Sequence, residues 1–299
     1  MFCTPRKTNS SGITFTGTPI NFEEAERFAL YKSTRTVNPQ MAPTNFSPKA
    51  TFHRIIGFSK RTRKTINGLR LRARWAIAGF KGNSSIGTSS NGLDAFDIVV
   101  INLKQRKDRL DSFAKQMESL EITKWRKIEA IDGRERFPDL KPFFSGSLGC
   151  TLSHINALRT SQNTNAVATL VCEDDAEFLL SREELDQIIG EFLSNSKLDV
   201  LALYGRARGG AHRISPNLRI AAGIVGRVCY AVKPHMVDTL IARFENGTTS
   251  LEEGKRRGKG DLMWQGLQYR KYFFATPTRA AVINSAGYSD IEGRDLGPR

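Results

Sequence analysis

Three consecutive acids, Glu173, Asp174 and Asp175, follow a short apolar segment in the stretch ATLVCEDDAEF, residues 168–178. Like charges this close repel one another, so the cluster implies a positively charged partner. Carboxylate oxygens are the ligands that Mg²⁺ and Mn²⁺ prefer, and these ions complete their coordination with water and substrate phosphates. The alternative is an acidic loop that pairs with Arg or Lys in a basic protein. The position of the acids at the end of a predicted strand favours the cation site.

Two arginines, Arg106 and Arg109, lie at the start of a predicted helix in the stretch INLKQRKDR. Guanidinium groups and the free N–H groups of a helix start both bind phosphate. Charged first turns are common, so this feature is weak evidence when taken alone. Further polar or small residues lie near the ends of predicted elements: Asp132, Gly133, Ser153 and His154. None of them is diagnostic by itself, and a single His on a helix is usually structural.

The elements that must position these residues alternate between strand and helix. Strand-like patterns occur at residues 96–103, 125–131, 166–172, 198–205, 226–233 and 272–285. Helical spacing occurs at residues 108–120, 147–161, 181–193 and 234–244. This order predicts an α/β fold with a mostly parallel, doubly wound sheet, in which ligands bind at the carboxyl ends of strands.

Composition is that of an ordinary globular protein, with 299 residues of which 39% are hydrophobic and 25% charged. The apolar runs are shorter than the ~20 residues of a membrane span, and no signal-peptide block follows the first residues. Four cysteines without paired spacing fit a reducing compartment. The expected location is the cytoplasm, and peripheral attachment to the inner face of the membrane through the basic front of the chain is one of two interpretations of that segment.

Positive charge is concentrated at the front of the chain. Residues 1–92 hold 15 of the 45 Lys and Arg and 3 of the 30 Asp and Glu, so their net charge is +12 and that of the remainder is +3. A Gly, Ser and Asn-rich linker at 81–94 follows. The sequence predicts two parts: a basic, partly disordered and partly helical N-terminal arm at residues 1–92, and a catalytic domain at residues 93–299.

Within the arm, residues 52–80 have the pattern of a basic amphipathic helix. Its predicted apolar face consists of Ile66, Leu69, Ala73, Ile77 and Phe80, with Leu71 and Trp75 outside it. One interpretation is that this helix packs on its own catalytic domain, and another is that it adsorbs to an anionic membrane surface. Nucleic acid is disfavoured as a partner because interleaved aromatic residues are sparse.

Six stretches, taken in order, resemble the motifs of glycosyltransferase family 25, which includes lipooligosaccharide glycosyltransferases and collagen galactosyltransferases. They are VINLKQRKDRL, IEAIDG, LGCTLSHINAL, TLVCEDDAEF, VCYAVKPHMVDTLI and GDLMWQ, and they cover residues 96–285. The resemblance implies a GT-A-like nucleotide-sugar-binding fold and a UDP-sugar donor, commonly UDP-galactose or UDP-glucose. It also implies Mn²⁺ or Mg²⁺ and transfer, with inversion, to a hydroxyl of a glycan acceptor such as lipopolysaccharide, lipooligosaccharide or another surface polysaccharide.

The same resemblance assigns roles to residues. Glu173 and Asp175 would hold the metal as the counterpart of the family's Asp-x-Asp signature. The donor would contact Asn102, Leu103, Arg106, Arg109, Asp132, Gly133, Ser153 and His154. An inverting displacement also needs a carboxylate base. The candidate is Asp261, which corresponds to an acid that the family keeps near this place and which could also cap the following helix; Asp174 is the second candidate.

A metal-dependent hydrolase, or a nucleic-acid- or membrane-binding protein acting through the basic arm, is the alternative function. A hydrolase of this type would need further ligands at other strand ends. The downstream histidines, His212 and His235, do not form a ligand-spaced pair. The pattern of motifs therefore favours the transferase.

Overall fold

The computed structural model describes residues 68–80, 92–162, 164–289, 291 and 294–297. Its strands are β1 (Phe96–Asn102), β2 (Arg126–Glu129), β3 (Ala168–Glu173), β4 (Ala176–Phe178), β5 (Val200–Ala202), β6 (Arg206–Arg213), β7 (Leu218–Val225), β8 (Cys229–Val232), β9 (Phe274–Pro277), β10 (Val282–Asn284), β11 (Gly287–Ser289) and β12 (Arg294–Leu296). Eight of them form one sheet in the order β2-β1-β3-β8-β5-β9-β7-β6. The pairs β4 with β10 and β11 with β12 form two small antiparallel ribbons.

Strand directions confirm the predicted mostly parallel sheet. β1 is parallel to both β2 and β3, and β5 is parallel to β9. β8 is antiparallel to its neighbours β3 and β5, and β7 is antiparallel to β9 and β6. Six strands of the sheet therefore run in one direction, whereas β7 and β8 run in the other.

The helices are α1 (residues 68–77), α2 (Lys107–Ser119), α3 (Gly133–Arg136), α4 (Pro142–Ser161), α5 (Arg182–Ser194), α6 (Pro234–Glu252), α7 (Gly260–Met263) and α8 (Gln265–Arg270). Ser181 and Glu184 form a capping box at the start of α5, which lies where the helical spacing of residues 181–193 predicts a helix. α4 begins at Pro142 and not at the predicted Ser147, because proline suits the first turn of a helix, which needs no N–H partner.

Apolar side chains cover both faces of the sheet. Along β1, Ile98 and Val100 belong to one buried cluster and Val99 and Ile101 to the other, as expected when alternate residues point to opposite faces. The first cluster includes residues of α2 and α5, and the second includes residues of α4 and α6. The sheet therefore lies between two helical layers, and its strand ends form the rim on which a site can be built.

Helix α1 contacts the first of these clusters through residues that the predicted apolar face had excluded. Leu71 and Trp75 are each 3% exposed, whereas Leu69 is 61% and Ile77 83% exposed. Arg74 also donates hydrogen bonds to the carbonyl oxygens of Gln268 and Tyr272, at 2.8 and 2.9 Å. The prediction of the apolar face was wrong at these positions. The side of a helix that is buried depends on the sheet edge and the neighbouring elements that it contacts, and periodicity alone does not determine it.

Trp75→Ala is expected to lower the free energy of unfolding by about 3–5 kcal/mol, since it removes a fully packed aromatic side chain. Ile77→Ala on the exposed side of α1 is the matched control, with an expected change within about 0.5 kcal/mol. Chemical denaturation of both variants measures the difference. Equal costs for the two substitutions would contradict the packing of α1 described above.

Several predictions concern parts of the chain that the structure does not describe. Residues 1–67 and 81–91, and with them most of the basic arm and linker, lie outside the described residues. The boundary at residues 92 and 93 and the membrane contact of the arm stay predictions. None of the helices in the described ranges has the length and apolar character that crossing a membrane requires.

Candidate functional site

A cavity at the carboxyl ends of β1 and β3 collects most of the predicted site residues. Those that line it are Leu103, Arg109, Asp132, Gly133, Ser153, His154, Glu173, Asp174 and Asp175. Apolar side chains, among them Ile101 and Ile131, form part of the same wall. The cavity thus has an apolar portion beside an acidic cluster, at the place where an α/β sheet binds ligands.

Arg109 holds two of the three acids. Its Nη1 lies 3.1 Å from Asp174 Oδ1 and 3.2 Å from Asp175 Oδ2, and its Nη2 donates to the carbonyl oxygen of Tyr288 at 2.6 Å. Asp174 also accepts a hydrogen bond at 2.8 Å from the amide of Asn102, which is buried. Both oxygens of Asp174 are therefore engaged, and the acid–arginine pairing considered from the sequence is present for this residue.

The carboxylate oxygens of Asp175 have fewer hydrogen-bond partners than those of Asp174. Its Oδ1 is buried and has no hydrogen-bond partner among the described residues. Burial, followed by repulsion from Glu173 and Asp174, raises the pKa of Asp175 to about 7. A buried carboxylate with a free oxygen beside two further acids has the hard oxygen donors that a divalent cation such as Mg²⁺ or Mn²⁺ needs, so the residues present fit such an ion.

Glu173 and His154 form a hydrogen-bonded pair on the cavity wall. His154 Nε2 lies 3.0 Å from Glu173 Oε1, and Nδ1 lies 3.2 Å from the hydroxyl oxygen of Tyr230. Burial and the charge of Arg227 lower the pKa of His154 well below its usual range, so the imidazole is neutral at pH 7. Burial raises the pKa of Glu173. His154, which was predicted as a contact of the sugar donor, thus contacts one of the predicted metal ligands.

Three of the residues predicted to contact the sugar donor have hydrogen-bond or ion-pair partners within the protein. The Asp132 carboxylate caps α3 by accepting from the backbone N–H groups of Arg134 and Glu135. The Ser153 hydroxyl accepts from the backbone N–H of Ile131 at 2.8 Å. Arg106 does not line the cavity, and its guanidinium pairs with Asp108 at 3.0 Å.

Gly133 allows α3 and α4 to approach closely. A Cβ atom at this position would overlap the carbonyl oxygen of Ser145, and a Cβ on Gly149 would lie 2.6 Å from the backbone N of Gly133. The predicted donor-site glycine is therefore needed for packing at the cavity wall whatever else it contacts.

Gly133→Ala is expected to lower the free energy of unfolding by about 2 kcal/mol or more, because backbone atoms must move to admit the methyl group. Gly68→Ala is the matched control, since a Cβ there meets no atom within 4 Å. Thermal unfolding of the two variants against the wild type measures the effect. A Gly133→Ala protein as stable as Gly68→Ala would show that the two helices are not in close contact.

Asp261 lies in the first turn of α7, whose N-cap is Lys259, and it makes no capping hydrogen bond. Its Oδ1 is buried without a partner among the described residues. Asp261 does not line the cavity, but after burial its charge adds to the raised pKa values of Glu173 and Cys150, which do. The interpretation of Asp261 as a helix cap is wrong, and the charge of its buried carboxylate acts on Glu173 of the acidic cluster.

Sequence reasoning missed two polar residues of this region. Arg227 is 6% exposed, packs against the ring of Phe244 and places Nη2 at 3.5 Å from Cys150 Sγ. Cys150 lines the cavity beside Glu173. A signal for each existed: Arg227 is a charge at the start of an apolar strand, and Cys150 precedes His154 by one helical turn.

Comparison with known proteins supports the resemblance that the sequence motifs indicate. Residues 96–213 match the model of glycosyltransferase family 25 (LPS biosynthesis protein). The match begins at β1 and extends through β6, so it covers the first part of the described sheet and not the whole chain. All three acids of the cluster lie within the matched residues, whereas Arg227 and Asp261 lie beyond them.

Proteins similar to this chain include two named galactosyltransferases. Procollagen galactosyltransferase 1-A of Xenopus laevis is 28% identical over 131 residues, and procollagen galactosyltransferase 2 of Mus musculus is 30% identical over 131 residues. Each alignment covers 38% of this chain and 21% of the relative, so the chain spans about a fifth of the length of these proteins.

Among solved structures, the chain is similar to one titled mannose-1-phosphate geranyltransferase, from Thermus thermophilus. The TM-score is 0.35 and the sequence identity 11%, with 61% of this chain and 73% of that chain covered.

Proposed function

We propose that the protein transfers a hexose from a UDP-sugar to a hydroxyl of a glycan acceptor, with inversion and with the help of a divalent cation. The three consecutive acids lining one cavity, with a free buried oxygen on Asp175, carry this proposal. The family 25 match supports glycosyl transfer, and its description supports a lipopolysaccharide or similar surface glycan as acceptor. The names of the two relatives favour galactose as the sugar.

Glu173 and Asp175 are the residues that would hold the cation. Bound there with a nucleotide diphosphate, the ion would offset the negative charge that grows on the leaving oxygen as the bond to the sugar breaks. The raised pKa values of both acids are consistent with this role. Ionisation of a buried carboxyl group is unfavourable when the group is alone, and it becomes favourable beside a cation.

Arg109 would bind the diphosphate directly. In the ligand-free site its guanidinium lies between Asp174 and Asp175. With Asp174 and Asp175 neutralised, the planar guanidinium of Arg109 would be released from this ion pair and could donate two parallel hydrogen bonds to phosphate oxygens. The first helical turn of α2, on which Arg109 lies, therefore serves donor binding.

Asp261 would be the general base. As the bond between the anomeric carbon and the diphosphate oxygen breaks, the acceptor oxygen bonds to that carbon from the opposite face and its proton passes to a carboxylate. Asp261 Oδ1 has no partner among the described residues to compete for this proton, whereas Asp174 has both oxygens occupied. This difference favours Asp261 over Asp174.

The test is release of UDP by the purified full-length protein from a panel of UDP-sugars, with Mn²⁺ present or replaced by EDTA. Cation-dependent release from UDP-galactose above all other donors, stimulated by a glycan acceptor, is the expected result. Anomeric configuration of the product by NMR tests inversion. No UDP release from any donor, together with no binding of UDP and Mn²⁺ by calorimetry, would refute the proposal.

A further inference from the structure

Cys150, His154 and Glu173 bring three different kinds of ligand atom to one point of the cavity wall. Cys150 and His154 lie four residues apart on α4 and hence on one face of it, and Glu173 ends β3. The three ligand atoms all lie within 4.8 Å of one another. Glu173 Oε1 is 3.0 Å from His154 Nε2 and 3.9 Å from Cys150 Sγ.

Thiolate, imidazole and carboxylate are the donors that zinc-type cations use, whereas Mg²⁺ and Mn²⁺ favour oxygen donors. Around a tetrahedral zinc ion the ligand atoms lie about 3.4–3.6 Å apart, given bonds of about 2.0–2.3 Å. The two distances from Glu173 Oε1, 3.0 Å to His154 Nε2 and 3.9 Å to Cys150 Sγ, lie on either side of this value. Because Cys150 and Glu173 face the cavity, a fourth position would remain accessible, as in open zinc sites.

Tyr230 supplies the outer contact that a metal-binding histidine needs. Its hydroxyl lies 3.2 Å from His154 Nδ1, and its fully buried ring stacks on the imidazole at a centroid distance of 5.7 Å. A hydrogen bond at Nδ1 fixes the ring and leaves Nε2 for a metal. The orientation of His154 is therefore already that of a ligand.

Arg227 and Lys259 are positive charges that act on both Cys150 and Glu173, and Arg227 Nη2 lies 3.5 Å from Cys150 Sγ. The negative charge of Asp261 acts on the same two groups in the opposite sense. Burial, followed by the charge of Glu173, raises the pKa of the Cys150 thiol to about 12, so a metal must displace the thiol proton to gain the sulfur ligand. Once ionised, Cys150 and Glu173 offer a divalent cation two negative charges.

We propose that Cys150, His154 and Glu173 bind one thiophilic divalent cation of the zinc class. On binding, the S–H bond of Cys150 breaks, its proton passes to the solvent, and a bond from sulfur to the metal forms. A further consequence rests on the proposed function: a zinc-type ion that occupies Glu173 removes a ligand from the magnesium or manganese site, so zinc competes with manganese and inhibits transfer.

The test uses Co²⁺ as a spectroscopic probe for the full-length, metal-free protein, followed by displacement with Zn²⁺. The expected spectrum has a sulfur-to-cobalt charge-transfer band and the intense visible bands of a four-coordinate ion, with one equivalent bound. Cys150→Ser is expected to abolish the charge-transfer band, and Tyr230→Phe to lower cobalt affinity about tenfold. Cys3→Ser is the control for a thiol elsewhere in the chain and should retain the full band.

A cobalt spectrum without a sulfur band, a band that persists in Cys150→Ser, or no cobalt binding would overturn the proposal. Circular dichroism of Cys150→Ser establishes that the variant is folded, and the substitution is nearly isosteric. The readout does not require turnover. A protein that shows the band but uses no UDP-sugar would refute the proposed function and leave this site standing, and the reverse result would remove the site alone.

Discussion

Asp175→Asn is expected to reduce cation-dependent UDP release at least about 10²–10³-fold, the scale of losing one preorganised charge contact to the transition state. The carboxamide is nearly the same size, but it lacks the negative charge that would hold the cation and it cannot replace the free Oδ1 as an anionic ligand. Initial rates over a range of Mn²⁺ concentrations measure the effect. Binding of Mn²⁺ by calorimetry should weaken in parallel.

Glu177→Gln is the matched control, since Glu177 is an exposed acid two positions further along the chain and does not line the cavity. Its substitution should leave the rate and the Mn²⁺ dependence unchanged. An Asp175→Asn protein that retains full manganese-dependent activity would exclude Asp175 as a metal ligand.

The same substitution is expected to stabilise the metal-free protein at neutral and alkaline pH. The folded-state pKa of Asp175 is about 7, against an ordinary value of 3.8. Between these values the folded state retains a proton that the unfolded state has lost, so the free energy of unfolding falls as pH rises from about 4 to about 7. Asp175→Asn removes this fall. In EDTA, the melting temperatures of the wild type and of Asp175→Asn should be equal near pH 4, and that of the variant should be higher at pH 8. If the two melting temperatures change with pH in parallel, the raised pKa is contradicted.

Asp261→Asn is expected to lower kcat about 10²–10⁴-fold, which is the usual contribution of a general base, while the KM for the donor changes little. The reason is positional, because the buried Oδ1 of Asp261 has no other partner among the described residues and its carboxylate lies near the acidic cluster. Steady-state kinetics with the donor and acceptor varied in turn are the measurement.

Asp174→Asn is the comparison that separates the two candidate bases. Asp174 is held by Asn102 and Arg109, so its substitution should disturb the position of Arg109 and raise the KM for the donor more than it lowers kcat. A larger loss of kcat in Asp174→Asn than in Asp261→Asn would reverse the assignment.

Much of the architecture was predictable because local signals agree with the fold. The alternation of strand and helix, the capping box at the start of α5 and Pro234 at the start of α6 all lie where the sequence indicates. The acids follow a buried strand, and the end of such a strand is where an α/β sheet exposes polar groups. These features depend on short stretches of chain, which a sequence displays directly.

Other features depend on neighbours distant in the chain. β6 has no alternation of apolar and polar residues, because it is an edge strand with both faces largely exposed, and its pairing with β7 is invisible to periodicity. The prediction of which side of α1 is buried was wrong for a similar reason. Leu71 and Trp75 are buried because of the surface that they contact and not because of their spacing in the sequence. The contact of His154 with Glu173 joins α4 to β3 and has no counterpart in local spacing.

The reversed direction of β8 decides which part of the chain reaches the acidic cluster. Cys229 pairs with Cys172, and the backbone N–H of Glu173 donates to the carbonyl oxygen of Val228 at 2.7 Å. The start of β8 therefore lies beside the end of β3. As a result, the short connection before β8 places Arg227 near the carboxylates. Substitutions in that connection should alter the charge balance of the cavity as strongly as substitutions in the loops that follow the parallel strands. A mutational survey restricted to those loops would overlook the guanidinium that acts most strongly on Glu173.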